Sequence, residues 1–171
     1  MPNLEHSMAG NPVEVTATAI GFALHVQMNQ TRPRYSWEVS PLDGTLTLTA
    51  EEPFPSSVQL WYAPTIDGDK RRDWRLATCP DGCPNPGAPV RHNVTWFQGA
   101  DPVPTTRGNE RTYSARVEPP AEGEGWVAFV LQVTWKDPVL GDFKVSTGPS
   151  ILPQTFPYPN CEGEECLAGY V

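Results

Sequence analysis

The sequence predicts a mainly β protein, an antiparallel sandwich preceded by a single α-helix, and three observations carry that reading. Proline makes up 20 of 171 residues, about twice its usual share of about 5%, and each one removes a backbone donor from a helix or a central strand. From Arg32-Pro33 onward the apolar residues recur with a period of two, the spacing of a strand with one buried face. Turn signals then follow at short intervals, as in folds made of many short strands.

The helix comes first. Asn11 is suited to the N-cap, Pro12 to the first helical position where its missing N–H costs nothing, and Glu14 to the third, from which it can bond back to the cap. The helix is expected to run to about Gln30. Val13, Ala17, Ile20, Leu24 and Met28 form an i, i+3/i+4 stripe, while Ala19, Phe22, Ala23 and Val26 widen it towards a second face. Such a helix needs cover on two sides, and the strands that follow do not visibly provide both. Residues 1–30 are therefore expected to be poorly anchored on the sandwich.

Tyr35, Trp37 and Val39 alternate with polar residues, Asp43-Gly44 makes a turn, and Leu46 and Leu48 alternate with threonines, which together describe a hairpin. Further strands are expected over Ser57 to Ala63, Asp73 to Thr78, Val90 to Phe97, Thr112 to Val117, Gly125 to Lys136 and Asp142 to Thr147, with turns at Asp67-Gly68-Asp69 and Leu140-Gly141-Asp142. About eight short strands point to a sandwich of immunoglobulin or fibronectin III type. From Pro149 the chain reads as irregular. No internal repeat or low-complexity block is present.

Composition narrows the function. Twelve basic against 20 acidic residues give a net charge of −8, with no basic run beyond Lys70-Arg71-Arg72, so no nucleic-acid partner is expected. No apolar run approaches the ~20 residues of a membrane helix, so no membrane insertion is expected. Four cysteines, Cys79, Cys83, Cys161 and Cys166, and two sequons at Asn29 and Asn93 suit an oxidising, secretory compartment and glycosylation. Three disulfide connectivities are open; local pairing, Cys79 with Cys83 and Cys161 with Cys166, is the expected one. Yet residues 1–10 hold no signal peptide. A C-terminal piece of a longer secreted protein would reconcile the two.

The histidines and cysteines give no metal-ligand spacing, so no metal and no cofactor is expected. Asp67-Gly68-Asp69 with Asp73 lacks the twelfth-position Glu of a calcium loop and reads as a turn. The six tryptophans, Trp37, Trp61, Trp74, Trp96, Trp126 and Trp135, sit in strand-like runs and are expected to pack between sheets rather than to form a sugar-binding platform. Glu162, Glu164 and Glu165 belong to an acidic tail.

Pro2-Asn3-Leu4-Glu5-His6-Ser7-Met8, Gly10-Asn11, the apolar helix and Arg32-Pro33 before Trp37 resemble the end of the hydrolase-like domain in the PhoPQ-activated pathogenicity-related family, which includes autocrine proliferation repressors. Leu60-Trp61-Tyr62-Ala63, Arg72-Asp73-Trp74-Arg75-Leu76, Gly125-Trp126-Val127-Ala128-Phe129 and Leu152-Pro153 resemble that family's β-rich C-terminal region. The resemblance implies that His6 is the histidine of a Ser-His-Asp constellation and that the first helix is the last helix of an α/β-hydrolase-like domain. It divides the chain into a His loop and helix over 1–31, a β-sandwich over 32–156 and an irregular tail over 157–171. No G-x-S-x-G elbow occurs, so a nucleophile and an acid would have to come from elsewhere, and the isolated chain is not expected to be catalytic. The function so implied is an accessory sandwich of a longer secreted protein, its partners the upstream hydrolase-like domain and a protein or cell-surface ligand. Two other classes compete: a stand-alone adhesive or carbohydrate- or protein-binding sandwich, and one part of a serine hydrolase or peptidase completed by upstream sequence.

Overall fold

The computed structural model describes residues 12–29, 31–65, 72, 74, 77–78, 90–91 and 94–155. One helix, α1 (Pro12–Gln27), precedes β1 (Tyr35–Val39), β2 (Leu46–Glu51), β3 (Ser57–Pro64), β4 (Ala77–Thr78), β5 (Val90–Arg91), β6 (Phe97–Gln98), β7 (Thr105–Arg107), β8 (Glu110–Ala115), β9 (Val127–Trp135), β10 (Phe143–Ser146) and β11 (Ser150–Leu152). All the strand pairings are antiparallel. One sheet has the order β1-β2-β8-β7; a second has the order β10-β9-β3-β6 with β11 also on β9; β4 and β5 pair separately.

The two larger sheets form a sandwich because each supplies one apolar face. Leu46, Leu48 and Ala50 of β2 with Tyr113 and Ala115 of β8 meet Val58 and Leu60 of β3 and Phe129, Leu131, Val133 and Trp135 of β9 in a single core. The alternation in β2, with Thr47 and Thr49 between buried residues, is the period of two that the sequence displays. β9 is its central strand. Its outward Ala128 and Thr134 are buried as well as its inward residues, so it is covered on both faces.

The expected β1–β2 hairpin forms, with Trp37 opposite Leu48 and Val39 opposite Leu46. Its turn depends on Gly44, which has φ +73°, a conformation side chains with Cβ rarely adopt. A Cβ there would also lie 2.5 Å from Leu152 Cδ2. Ser150 Oγ donates to the Gly44 carbonyl at 2.7 Å, tying the turn to β11.

Three sequence expectations are corrected. The region from Pro149 is not wholly irregular, because Ser150–Leu152 is β11. It continues the edge begun by β10 along β9: four steps from Ser146 to Ser150 match three from Gln132 to Phe129, so one residue is extra. That extra residue makes a β-bulge. Thr147 bridges it, its amide donating to the Leu131 carbonyl at 3.0 Å and its hydroxyl accepting from the Leu131 amide at 3.0 Å. The run Val90 to Phe97 is not one strand, since residues 94–96, between the paired Val90–Arg91 and Phe97–Gln98, lie outside any strand. The third correction is α1, which is held on the sandwich.

Candidate functional site

α1 lies against β10 and the turn before it. Its contacts run through Glu14, Gly21, Phe22 and His25, not through the apolar stripe of the sequence. Lys144 Nζ donates to Glu14 Oε1 at 2.9 Å, and the Phe22 ring stacks on Phe143 with centroids 6.0 Å apart. At the centre Gly21 is buried, and a Cβ there would stand 2.9 Å from the Asp142 carbonyl oxygen. Glycine costs helix propensity, and here the close approach of helix to turn requires it.

His25 closes the far end. Its Nδ1 lies 2.7 Å from the Gly21 carbonyl, to which it can donate, and its Nε2 lies 3.7 Å from Asp137 Oδ2. Asp137 in turn accepts from the amides of Val139 and Leu140 at 2.8 and 2.9 Å. These two amide bonds, Leu140 first, hold its carboxyl below the usual aspartate range, and the His25 charge adds to them. With both ring nitrogens facing acceptors, His25 clamps the helix.

The stripe that sequence periodicity singles out is turned away. Val13 is 77%, Ile20 53% and Met28 59% exposed, with Ala17 exposed beside them and Leu24 half-buried. A helix normally turns its apolar face inward. α1 instead turns Glu14, Gly21, Phe22 and His25 to the sandwich and leaves Val13, Ala17, Ile20 and Met28 exposed. The Phe22–Phe143 contact continues inward through Phe143–Trp135 at 5.9 Å and Trp135–Tyr35 at 5.4 Å, so α1 is coupled to the core and to β1.

Of the residues singled out by sequence, His6, Cys79, Cys83, Cys161, Cys166 and Asn93 lie outside the described residues, as do the Asp67-Gly68-Asp69 turn and residues 157–171. Asn29 is described: it is exposed just past the helix, with φ 48°. Among the described residues no three His, Cys, Asp or Glu side chains gather as a metal site, and no helix is long and apolar enough to cross a membrane. The tryptophans divide. Trp126 and Trp135 are buried, and Trp135 Nε1 donates to the Pro53 carbonyl at 2.8 Å; Trp74 Nε1 donates to the Ala63 carbonyl at 3.0 Å; Trp37 is 46% exposed. Sequence reasoning missed the His25–Asp137 clamp and the role of Gly21, whose partners are remote in sequence.

Comparison with known proteins places these features in a context. Residues 1–75, which include α1 and the strands through β3, match the family described as PhoPQ-activated pathogenicity-related protein. Over 172 aligned residues the chain is 28% identical to autocrine proliferation repressor protein A of Dictyostelium discoideum, an alignment that covers 94% of this chain and 32% of the relative. The chain thus spans about a third of that relative's length. No solved structure matches.

Proposed function

We propose that this chain, a relative of the PhoPQ-activated pathogenicity-related proteins over part of their length, is the C-terminal accessory β-sandwich region of a longer secreted protein and is not catalytic by itself. The observation that carries the reading is the outward apolar line of α1. A helix held to the sandwich through Glu14, Gly21, Phe22 and His25, while Val13, Ala17, Ile20 and Met28 stay exposed, is suited to be shared between two bodies. The second body would be the hydrolase-like domain whose His loop the sequence before α1 resembles. His6 would serve there as the base for a serine nucleophile supplied by that domain.

The four cysteines and the sequons at Asn29 and Asn93 fit the same reading, since disulfides and N-glycans both belong to the secretory route. The exposed position of Asn29 leaves room for a glycan. The sandwich would stiffen and present, and the remote domain would carry any chemistry.

A serine-directed fluorophosphonate probe tests the division of labour. The 171-residue chain is expected to remain unlabelled, whereas the longer protein is expected to label and to lose turnover of activated esters after His6→Ala, with the sandwich still folded. Labelling of the isolated chain would overturn the proposal.

A further inference from the structure

Sheet edges that are long, flat and apolar invite pairing, and proteins blunt them with short strands, bulges or covering elements. Three of the four outer edges of this sandwich are treated in that way. β6 is two residues long and β7 three, and the edge formed by β10 and β11 is bulged at Thr147 and covered in part by α1. β1 is not. It has five residues, Tyr35–Val39, contains neither proline nor lysine, and among the described residues pairs on one side only.

The register shows what its free side offers. Glu51 N donates to the Arg34 carbonyl and Ser40 N to the Thr45 carbonyl, so Arg34, Ser36, Glu38 and Ser40 are the residues that bond to β2. The amides and carbonyls of Tyr35, Trp37 and Val39 therefore point outward along the edge. Their side chains share the inner face with Leu46, Leu48 and Ala50, yet Trp37 is 46% and Val39 36% exposed. Trp37 lies over Gly148, where a Cβ would sit 3.2 Å from its Nε1. At this edge the core runs out before the apolar face does. Among the described residues nothing pairs with these backbone groups.

We propose that the β1 edge takes up, by strand addition, an extended segment from the part of the longer protein that this chain does not span. This rests on the reading above, that the chain belongs to a longer protein, and on the two-thirds of the relative's length that lie outside the alignment. The added strand would bond to Tyr35, Trp37 and Val39, and its own inward side chains would extend the face beside them. It therefore needs apolar residues at alternate positions over about five residues, the pattern by which strand addition obtains specificity. The aromatic series Trp37–Tyr35–Trp135–Phe143–Phe22 joins this edge to α1, so both surfaces given to the partner are continuous with one packed network.

Residue-resolved amide hydrogen exchange on the isolated chain and on the longer protein tests it. The expected result is slowing by at least ~10-fold at Tyr35, Trp37 and Val39 in the longer protein, with little change at Ser36 and Glu38, which β2 already protects. Unchanged exchange at the three residues together with protection of α1 would overturn strand addition while leaving the accessory reading standing. Unchanged exchange at both would overturn both. Protection in the isolated chain that grows with its concentration would assign the edge to a second copy and overturn the proposal.

Discussion

Asp43 shows how much structure one side chain can hold in a turn. Its carboxylate accepts from the Thr45 amide at 3.1 Å and the Thr45 hydroxyl at 2.8 Å, and its backbone carbonyl accepts from Arg116 Nε at 3.2 Å. The Ser40 hydroxyl first, then the Thr45 amide and hydroxyl, bring its pKa down to about 2. Because the folded value lies below the ordinary one, Asp43 contributes its stability in full above the ordinary aspartate range, and that contribution is lost as pH falls towards about 2. Asp43→Asn should therefore lower the unfolding midpoint at neutral pH, and the gap to the parent chain should close as the pH approaches 2. A gap that stays constant with pH would show that the carboxylate charge is not what holds the turn.

At the scale of elements, Gly21 separates a helix argument from a packing argument. In a free helix, Gly→Ala stabilises by about 1 kcal/mol. In α1 the new methyl meets the Asp142 carbonyl at 2.9 Å, a backbone atom that cannot swing aside. Gly21→Ala should raise the intrinsic helicity of a peptide spanning residues 12–27 and yet, in the whole chain, release α1 to limited proteolysis earlier than in the parent. Unchanged protease resistance would mean that the turn yields and that the close approach is not needed.

What sequence could foretell follows from where each signal lives. α1, the β1–β2 hairpin, β3, β9 and β10 are local patterns, and all were visible as periodicities; the Asn11 cap lies outside the described residues. β7, Thr-Thr-Arg, carries no apolar alternation, and β11 is joined to β9 only through a bulge, so neither announces itself. The two-faced character of α1 was legible, but which face docks was not, because Gly21 and His25 take their meaning from Asp142 and Asp137. His6 and the four cysteines were read from spacing and resemblance, and they lie outside the described residues.

For the molecule as a whole, the described residues form a sandwich with a single core, and along one side the α1 stripe and the β1 edge are exposed. β9 organises it, pairing with β3 on one edge and with β10 and β11 on the other. α1 is fastened to that assembly through Glu14, Gly21, Phe22 and His25 and exposes an aliphatic line, while β1 offers backbone groups and two partly uncovered apolar side chains. Both features make sense in a region that completes itself against more chain. The most direct measurement is intact mass spectrometry, with peptide mapping, of the native polypeptide that carries this sandwich. The account predicts a species longer than 171 residues, with further sequence before the His6 loop; a native 171-residue chain, secreted as such and stable without a partner, would contradict it.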